Sequence, residues 1–455
     1  MNLTKTIESI FKKFLPAPFT IAVLLTLLTI CLAFLNDDTK STESITNILN
    51  YWENGIWNPK LLVFAFQMIL ILVLGHVLVL SKPIDNIISK LVKHTTSTST
   101  AVLLVSFTTL LVAFINWGLG LIFGAILARK VGEYAQKHNI PINYPIVGAS
   151  GYVGLMVWHS GISGSAPLDA AGNGRIQELL SNASLANNLN LPSEIATSST
   201  IFSSWNLIIF SAIVITIPMF LYFVAKKTTP TPLNLPTYTF NTSTNKKTGA
   251  EQLDHSKILA WVFGIIILIV FCLKYGEKAL ELNVTLNAIN FLTLGLALLF
   301  HGRFFSFLKA LEEAIKGASG IIIQFPLYFG IMGIMTSTGM VSDISDFFAS
   351  VATTTKHPIF TFFSAGLVNI FVPSGGGQWV IQGPIVLESA LKLGVPLPKA
   401  IMALAYGDQI TNMLQPFWAL PLLGITKLKA KEILPYTLLV MLVGSAIYIL
   451  GLLIF

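Results

Sequence analysis

Runs of apolar residues about the length of a bilayer-crossing helix recur from one end of the chain to the other, and no water-soluble core can absorb so many. They cover residues 19–35, 61–80, 144–165, 201–225, 258–271, 286–300, 317–335, 400–425 and 436–455, some bounded by their most apolar part. Backbone groups inside hydrocarbon must be bonded internally, so runs of this length are expected to be helices. The composition agrees: 54% of residues are hydrophobic and 11% charged, against about 25% charged in soluble domains. An all-α polytopic membrane protein is expected.

The formal net charge is +7, but the lysines and arginines stand singly between apolar runs. That pattern reads as membrane topology and argues against a nucleic-acid partner. Cys31 and Cys272 lie far apart in apolar segments, without metal-ligand spacing, so no metal or cofactor is expected. The first run follows Lys5, Lys12 and Lys13 and has no small-residue cleavage site behind it. It is longer than a signal-peptide h-region and is read as a retained span.

Two further apolar stretches behave differently. Residues 101–128 are flanked by Lys82, Lys90 and Lys93 on one side and Arg129, Lys130 and Lys137 on the other, which puts both ends on the cytoplasmic face. Two arms of roughly 13 residues reach about 20 Å, short of a bilayer of about 30 Å. A re-entrant hairpin is predicted, with Asn116, Trp117 and Gly118 at its tip. Residues 359–389 lie between the acidic Asp343 and Asp346 and a run that precedes Lys427, Lys429 and Lys431, so a second hairpin is predicted to enter from the opposite face. Its middle reads FVPSGGGQWVIQGP from Phe371 to Pro384. Inside a helix, proline costs about 3 kcal/mol and glycine about 1 kcal/mol relative to alanine, so this break calls for a function.

The two stretches superpose at a shift of 258 residues, which lays Asn116 on Ser374 and Gly118 on Gly376. After a slip of three, Pro141 falls on Pro396 and the broken run 144–165 on the broken run 400–425. Two inverted repeats are predicted, 1–225 and 276–455, each holding a re-entrant hairpin and a broken helix. Residues 226–275 form a cytoplasmic linker and a connecting helix. The stretch 230–254 is rich in Thr, Pro and Asn and reads as a linker without chemistry. Arg303 to Lys316 reads either as an amphipathic surface helix or as the first turns of the next span.

Irregular backbone at membrane depth is tolerated only where it lines protein or a water-filled cavity. Helix N-termini starting at the tips would turn unpaired N–H groups and positive dipole ends inward, which suits a carboxylate. Candidate substrate ligands are Asn116, Trp117, Gly118, Ser163, Ser374, Gly375, Gly376, Gly377, Gln378, Gln382, Asn412 and Gln415. Trp158, Phe371, Trp379, Phe417 and Trp418, together with Trp117, are candidate walls around a short alkyl tail. Asp408 lies deep in its run, with Asn412 and Gln415 at helical spacing on one face; it is open to binding a coupling cation, carrying a proton or bracing a tip. His159 is a second coupling candidate, or a fixed hydrogen-bond partner. No lysine or arginine stands at either tip, which favours a small monocarboxylate over a dicarboxylate.

At these residues the chain resembles a known family. NIFVPSGGGQWVIQGPIV, AYGDQITNMLQPFWALPLL, FINWGLGLIFGA and FLPAPFTIAVLLTLLT are similar to segments of the bacterial short-chain fatty acid transporters, over essentially the whole chain. The resemblance implies an elevator-type carrier of the ion transporter superfamily that takes up butyrate, acetoacetate and similar acids across the inner membrane. Relatives in that superfamily hold their carboxylate with a Ser-Asn-Thr tip beside sodium. The tips here carry Ser374 and Asn116 without that triplet, so the coupling ion, proton or sodium, stays open, as does association as a homodimer. Two rival readings are an intramembrane enzyme using His159, Ser163 and Asp408, disfavoured because nothing fixes a nucleophile, and a passive carboxylate channel.

Overall fold

Proline and serine set the helix starts. Pro18 and Pro59 open α1 (Pro18–Asn36) and α3 (Pro59–Val79), where a missing N–H removes no helical bond. Ser41 and Ser97 form reciprocal capping boxes with Ser44 and Thr100 at the heads of α2 (Thr42–Ile56) and α5 (Thr98–Ile115). Between them runs α4 (Lys82–Val92). The computed structural model describes residues 13, 16–37, 40–180, 192–236, 249–280, 286–316 and 318–455. Lys5, Lys12 and the middle of the 230–254 linker lie outside them.

The chain continues with α6 (Trp117–Lys137), α7 (Tyr144–Ser150), a 3-10 turn Val153–Met156, α8 (Ser165–Ala170), α9 (Arg175–Leu179) and α10 (Ser204–Ala225). Then come α11 (Glu251–Asp254), α12 (Lys257–Leu280), α13 (Leu286–His301), α14 (Phe304–Ile315), α15 (Ser319–Ser337) and α16 (Met340–Ser350). The last elements are α17 (His357–Phe371), α18 (Gly375–Leu393), α19 (Leu397–Thr411), a 3-10 turn Asn412–Leu414, α20 (Pro416–Thr426) and α21 (Ala430–Ile454). All regular structure among the described residues is helical, and six helices are long and apolar enough to cross a membrane. Leu24, Ile215, Phe223, Trp261 and Leu273 stand exposed on them, the expected lipid-facing surface of a multi-pass membrane protein.

The same 258-residue shift carries Lys82 onto Met340 and Trp117 onto Gly375, the first residues of α4 and α16 and of α6 and α18. Packing is reciprocal as well: α1 and α2 pack on α15, while α13 and α14 pack on α3. Between α2 and α15 the backbones nearly touch; a Cβ on Gly55 would lie 2.4 Å from the Phe329 carbonyl oxygen, and one on Gly333 2.4 Å from that of Tyr51. Sequence reasoning missed α2, whose polar face hides its apolar stripe. The Arg303 to Lys316 segment forms a helix separate from α15.

The first hairpin is longer than its apolar stretch suggested. α5 has 18 residues, about 27 Å at 1.5 Å each, because Thr98 and Ser99 are buried and join the helix. α6 runs on through Arg129 and Lys130, both paired with Glu133. The broken run 144–165 is helical only over Tyr144–Ser150 and one 3-10 turn. The other broken run interrupts at Asn412–Leu414, and Gln415 is extended with φ −80° and ψ 111° before Pro416 restarts the helix.

Candidate functional site

Each hairpin tip carries a side chain that caps the helix leaving it, and at the first tip the same residue, Asn116, also ends the helix before it. Asn116 Oδ1 accepts the Leu119 N–H at 3.0 Å. Trp117 N–H donates to Ser163 Oγ at 3.0 Å, and Ile162 N–H donates to the Phe114 carbonyl at 2.8 Å. The structure thus brings Asn116, Trp117 and Ser163 together, with Gly118 in the same turn. At the second tip Ser374 Oγ accepts the Gly377 N–H at 3.3 Å. The Gly375 and Gly376 amides have no hydrogen-bond partner among the described residues, leaving two first-turn donors at the positive end of α18.

Gly375 rests on Trp158 and His159. A Cβ there would lie 2.5 Å from Trp158 Cη2 and 2.9 Å from His159 Cε1, and the two rings stack with centroids 4.5 Å apart. His159 Nδ1 is bonded to Asp408 Oδ2, and its Nε2 faces the Ala166 N–H at 3.0 Å. An amide N–H only donates, so Nε2 is the bare acceptor nitrogen and Nδ1 carries the proton that it donates to the carboxylate. Both side chains are buried, and Asp408 Oδ1 has no partner among the described residues. Gln409 braces the pair: its Oε1 accepts the His159 and Ser160 N–H groups at 2.9 and 3.0 Å, and its Nε2 donates to the Tyr448 hydroxyl at 2.8 Å.

Asp408, Asn412 and Gln415 do not share a helix face, a correction to the spacing argument. α19 ends at Thr411, and the turn redirects the chain toward the second hairpin. Asn369 Nδ2 donates to the Asp408 carbonyl at 2.9 Å and to Asn412 Oδ1 at 2.8 Å. Gln415 Nε2 donates to the Asn369 and Ile370 carbonyls at 2.6 and 2.9 Å, satisfying acceptors that the end of α17 leaves free. Gln378 and Gln382 point into the hairpin: Gln378 Nε2 reaches the Ala365 carbonyl at 2.9 Å and Gln382 Nε2 reaches Ser364 Oγ at 3.1 Å. Trp379 turns away from the tips and donates to Asp169 Oδ2 at 2.7 Å.

Beside Ser374 lies a cavity of about 170 Å³ whose walls include Leu61, Phe64, Tyr328, Met332 and Phe417. Trp418 and Trp117 continue this aromatic wall, with ring centroids 5.2 Å apart and each 6.4 Å from Phe64. Tyr328 is 1% exposed and its hydroxyl has no partner among the described residues. A buried donor left unbonded costs about 1–3 kcal/mol, which an acceptor placed in the cavity would recover. Sequence reasoning missed Tyr328 and Asn369 because each is a single polar residue in an apolar run. Among the described residues no three His, Cys, Asp or Glu side chains are grouped to hold a metal.

The sequence matches the family described as short chain fatty acid transporter over residues 1–455. A Haemophilus influenzae protein described as a candidate short-chain fatty acid transporter is 36% identical over 459 residues, covering 99% of each chain. An Escherichia coli protein of the same description is 33% identical, covering 100% of this chain and 99% of its own. Among solved structures, the Alcanivorax borkumensis YdaH transporter aligns over 96% of this chain and 98% of its own at 14% identity and a TM-score of 0.41. Neisseria gonorrhoeae MtrF, from a class described as antimetabolite efflux pumps, aligns over 98% and 96% at 16% identity and a TM-score of 0.38. Similarity at that level is too low to inform the mechanism. The family match over the full length, with two relatives above 30% identity, establishes that the chain belongs to the short-chain fatty acid transporter family.

Proposed function

We propose that the protein is a secondary active carrier that takes up short-chain monocarboxylates, butyrate and acetoacetate among them, across the bacterial inner membrane together with a cation. The observation that carries this reading is the amphipathic cavity at the second tip, whose lining joins the apolar Leu61, Phe64, Met332 and Phe417 to Ser374 and to Tyr328, a tyrosine with an unpartnered hydroxyl among the described residues. Its size suits a short tail, and the free Gly375 and Gly376 amides beside it supply donors for one carboxylate. No lysine or arginine lines it, which favours monocarboxylates over dicarboxylates.

The matched boundaries of α4 with α16 and α6 with α18, and the reciprocal packing of α1 and α2 on α15 and of α13 and α14 on α3, support two inverted repeats. In this reading they occupy 1–225 and 276–455, with re-entrant hairpins. The cavity sits at a seam: tip and broken-run residues Ser374 and Phe417 on one side, α3 and α15 on the other. The tips are tied to the breaks by polar bonds, so sliding of that unit along the seam would carry the site between the two faces. Asn116, Trp117, Gly118 and Ser163 form the opposing tip of the same moving unit.

The test is uptake of labelled butyrate by the purified protein in proteoliposomes, with unlabelled acetoacetate and succinate as competitors. Competition by acetoacetate and not succinate is expected, with counterflow of label against its gradient; no butyrate uptake, or no counterflow, would overturn the carrier reading. Tyr328→Phe should raise the half-saturation concentration about tenfold or more. A hydrogen bond to a charged group contributes about 1.5–3 kcal/mol, and each 1.4 kcal/mol is a factor of ten. An unchanged value would remove Tyr328 from the site.

A further inference from the structure

The His159–Asp408 pair sits beneath the tip that the carrier reading assigns to substrate, and its bonding is incomplete. The proton on Nδ1 is fixed by the Ala166 N–H at Nε2, so the ring is neutral and the pair as built holds one negative charge, on a carboxylate that is fully buried. Oδ2 is taken by the ring, and Oδ1 accepts nothing from the described residues. Buried charges are ordinarily paired or fully hydrogen-bonded; a bare carboxylate oxygen in this setting is a place for a cation of the smallest size.

The surroundings narrow the choice. Among the described residues the only ion-pair partner of Asp408 is His159. On α19 itself the titratable groups are Tyr406, bonded to Asn206, and Lys399, nine residues before Asp408. α17 brings His357, bonded to Ser389, and α18 brings Glu388 paired with Lys392 near its far end. α8 brings Asp169, paired with Arg175. α21 brings Tyr448, held by Met156 and Gln409, along with Tyr436, Lys431 and Glu432, and the 3-10 turn is preceded by Tyr152, bonded to the Asn412 and Gln415 carbonyls. None of these offers Asp408 a positive charge. The N-terminus of α18 adds a positive field close by, since its Gly375 lies against the His159 ring that bonds Asp408, and this is the same field a substrate carboxylate would use.

We propose that Asp408 Oδ1 is the proton-binding site that couples transport, so that one proton enters with each monocarboxylate. This rests on the carrier reading of the second tip. Two anions competing for one helix N-terminus repel, and a like charge nearby favours the protonated form of a carboxyl group. Arrival of the substrate carboxylate therefore drives a proton from water onto Oδ1, while Oδ2 keeps accepting from His159 Nδ1. The empty site carries the Asp408 charge and the loaded site carries the substrate charge, so the net charge is one negative in both states. The translocated pair of anion and proton is neutral. Binding is reciprocal by linkage: lowering pH tightens substrate binding, and substrate tightens proton binding by the same factor. His159 acts as a positioning residue that fixes which oxygen is free.

The experiment uses the full-length protein in detergent, in weakly buffered sodium-free solution with a pH indicator. Adding butyrate at matched pH is expected to remove about one proton from solution per butyrate bound, and butyrate affinity should rise as pH falls. Asp408→Asn should still bind butyrate but with proton uptake lost and affinity independent of pH. Butyrate binding without proton uptake, or proton uptake undiminished in Asp408→Asn because the acid itself is protonated, overturns the assignment. Absence of butyrate binding by the unaltered protein would overturn the carrier reading instead. If Asp408→Asn does not fold, His159→Gln serves: it removes the ring that fixes Oδ2, so the pH at which affinity changes should shift, and an unshifted profile overturns the paired site.

Discussion

Gly375→Ala is expected to lower butyrate uptake about fivefold or more, while Gly376→Ala leaves it near normal. The two glycines are adjacent and chemically identical, so the contrast isolates geometry. A Cβ at 375 would stand 2.5 Å from Trp158 Cη2 and 2.9 Å from His159 Cε1. Neither ring can retreat easily, because Trp158 is stacked on His159 and tilted against Trp117, 5.8 Å away, and His159 is tied to Asp408 and Ala166. Inserting a methyl into such a site costs about 1–3 kcal/mol, a factor of about 5 to 150, and the strain is relieved only by moving the tip off its seat. A Cβ at 376 meets only Ser165, with Oγ 3.7 Å away, an ordinary contact. Leucine at 376 would reach further into the space beside the tip and should abolish uptake. Thermal unfolding of each variant separates lost binding from lost folding. Equal uptake by the two alanine variants would show that Gly375 does not set the position of the tip.

Gln409→Leu is expected to cause the largest loss of stability of any single polar substitution around the site. Its amide oxygen is the acceptor for two consecutive buried N–H groups, His159 and Ser160, in a stretch with no regular helix to bond them. Leucine is similar in volume but leaves both amides orphaned, at about 1–3 kcal/mol each, a large share of a total stability of about 5–15 kcal/mol. The Tyr448 hydroxyl loses the Gln409 donor but keeps the Met156 carbonyl at 2.6 Å, so it adds little. Gln382→Leu, which breaks side-chain contacts inside one hairpin, should cost less. The check is the unfolding midpoint of each variant in one detergent; a smaller drop for Gln409→Leu than for Gln382→Leu would contradict the role assigned to the brace.

Much of the architecture was legible in the residues. Segment lengths follow from the thickness of hydrocarbon, and interruptions follow from proline, glycine and capping side chains, all of which act within a few residues of themselves. Hence Ser374 and Asn116 could be placed at helix starts before any tertiary contact was considered. Arm length was underestimated because buried Thr98 and Ser99 are polar yet helical, and α2 was missed because its polar face dilutes its hydropathy. The face shared by Asp408, Asn412 and Gln415 failed because spacing presumes a continuous helix, and Pro416 enforces a restart after the turn.

How the two broken runs meet is a property of the folded chain. His159 and Asp408 are 249 residues apart, as are Ser160 and Gln409, and no local propensity couples them. The bare Asp408 Oδ1 and Tyr328 hydroxyl are likewise properties of packing, since a polar atom is unpartnered only once every neighbour is in place. Where the helices break is written in the residues, because the energy of a break is local; which donors and acceptors face one another across those breaks follows from the fold, because that depends on the relative placement of segments whose sequences carry no information about each other's distance.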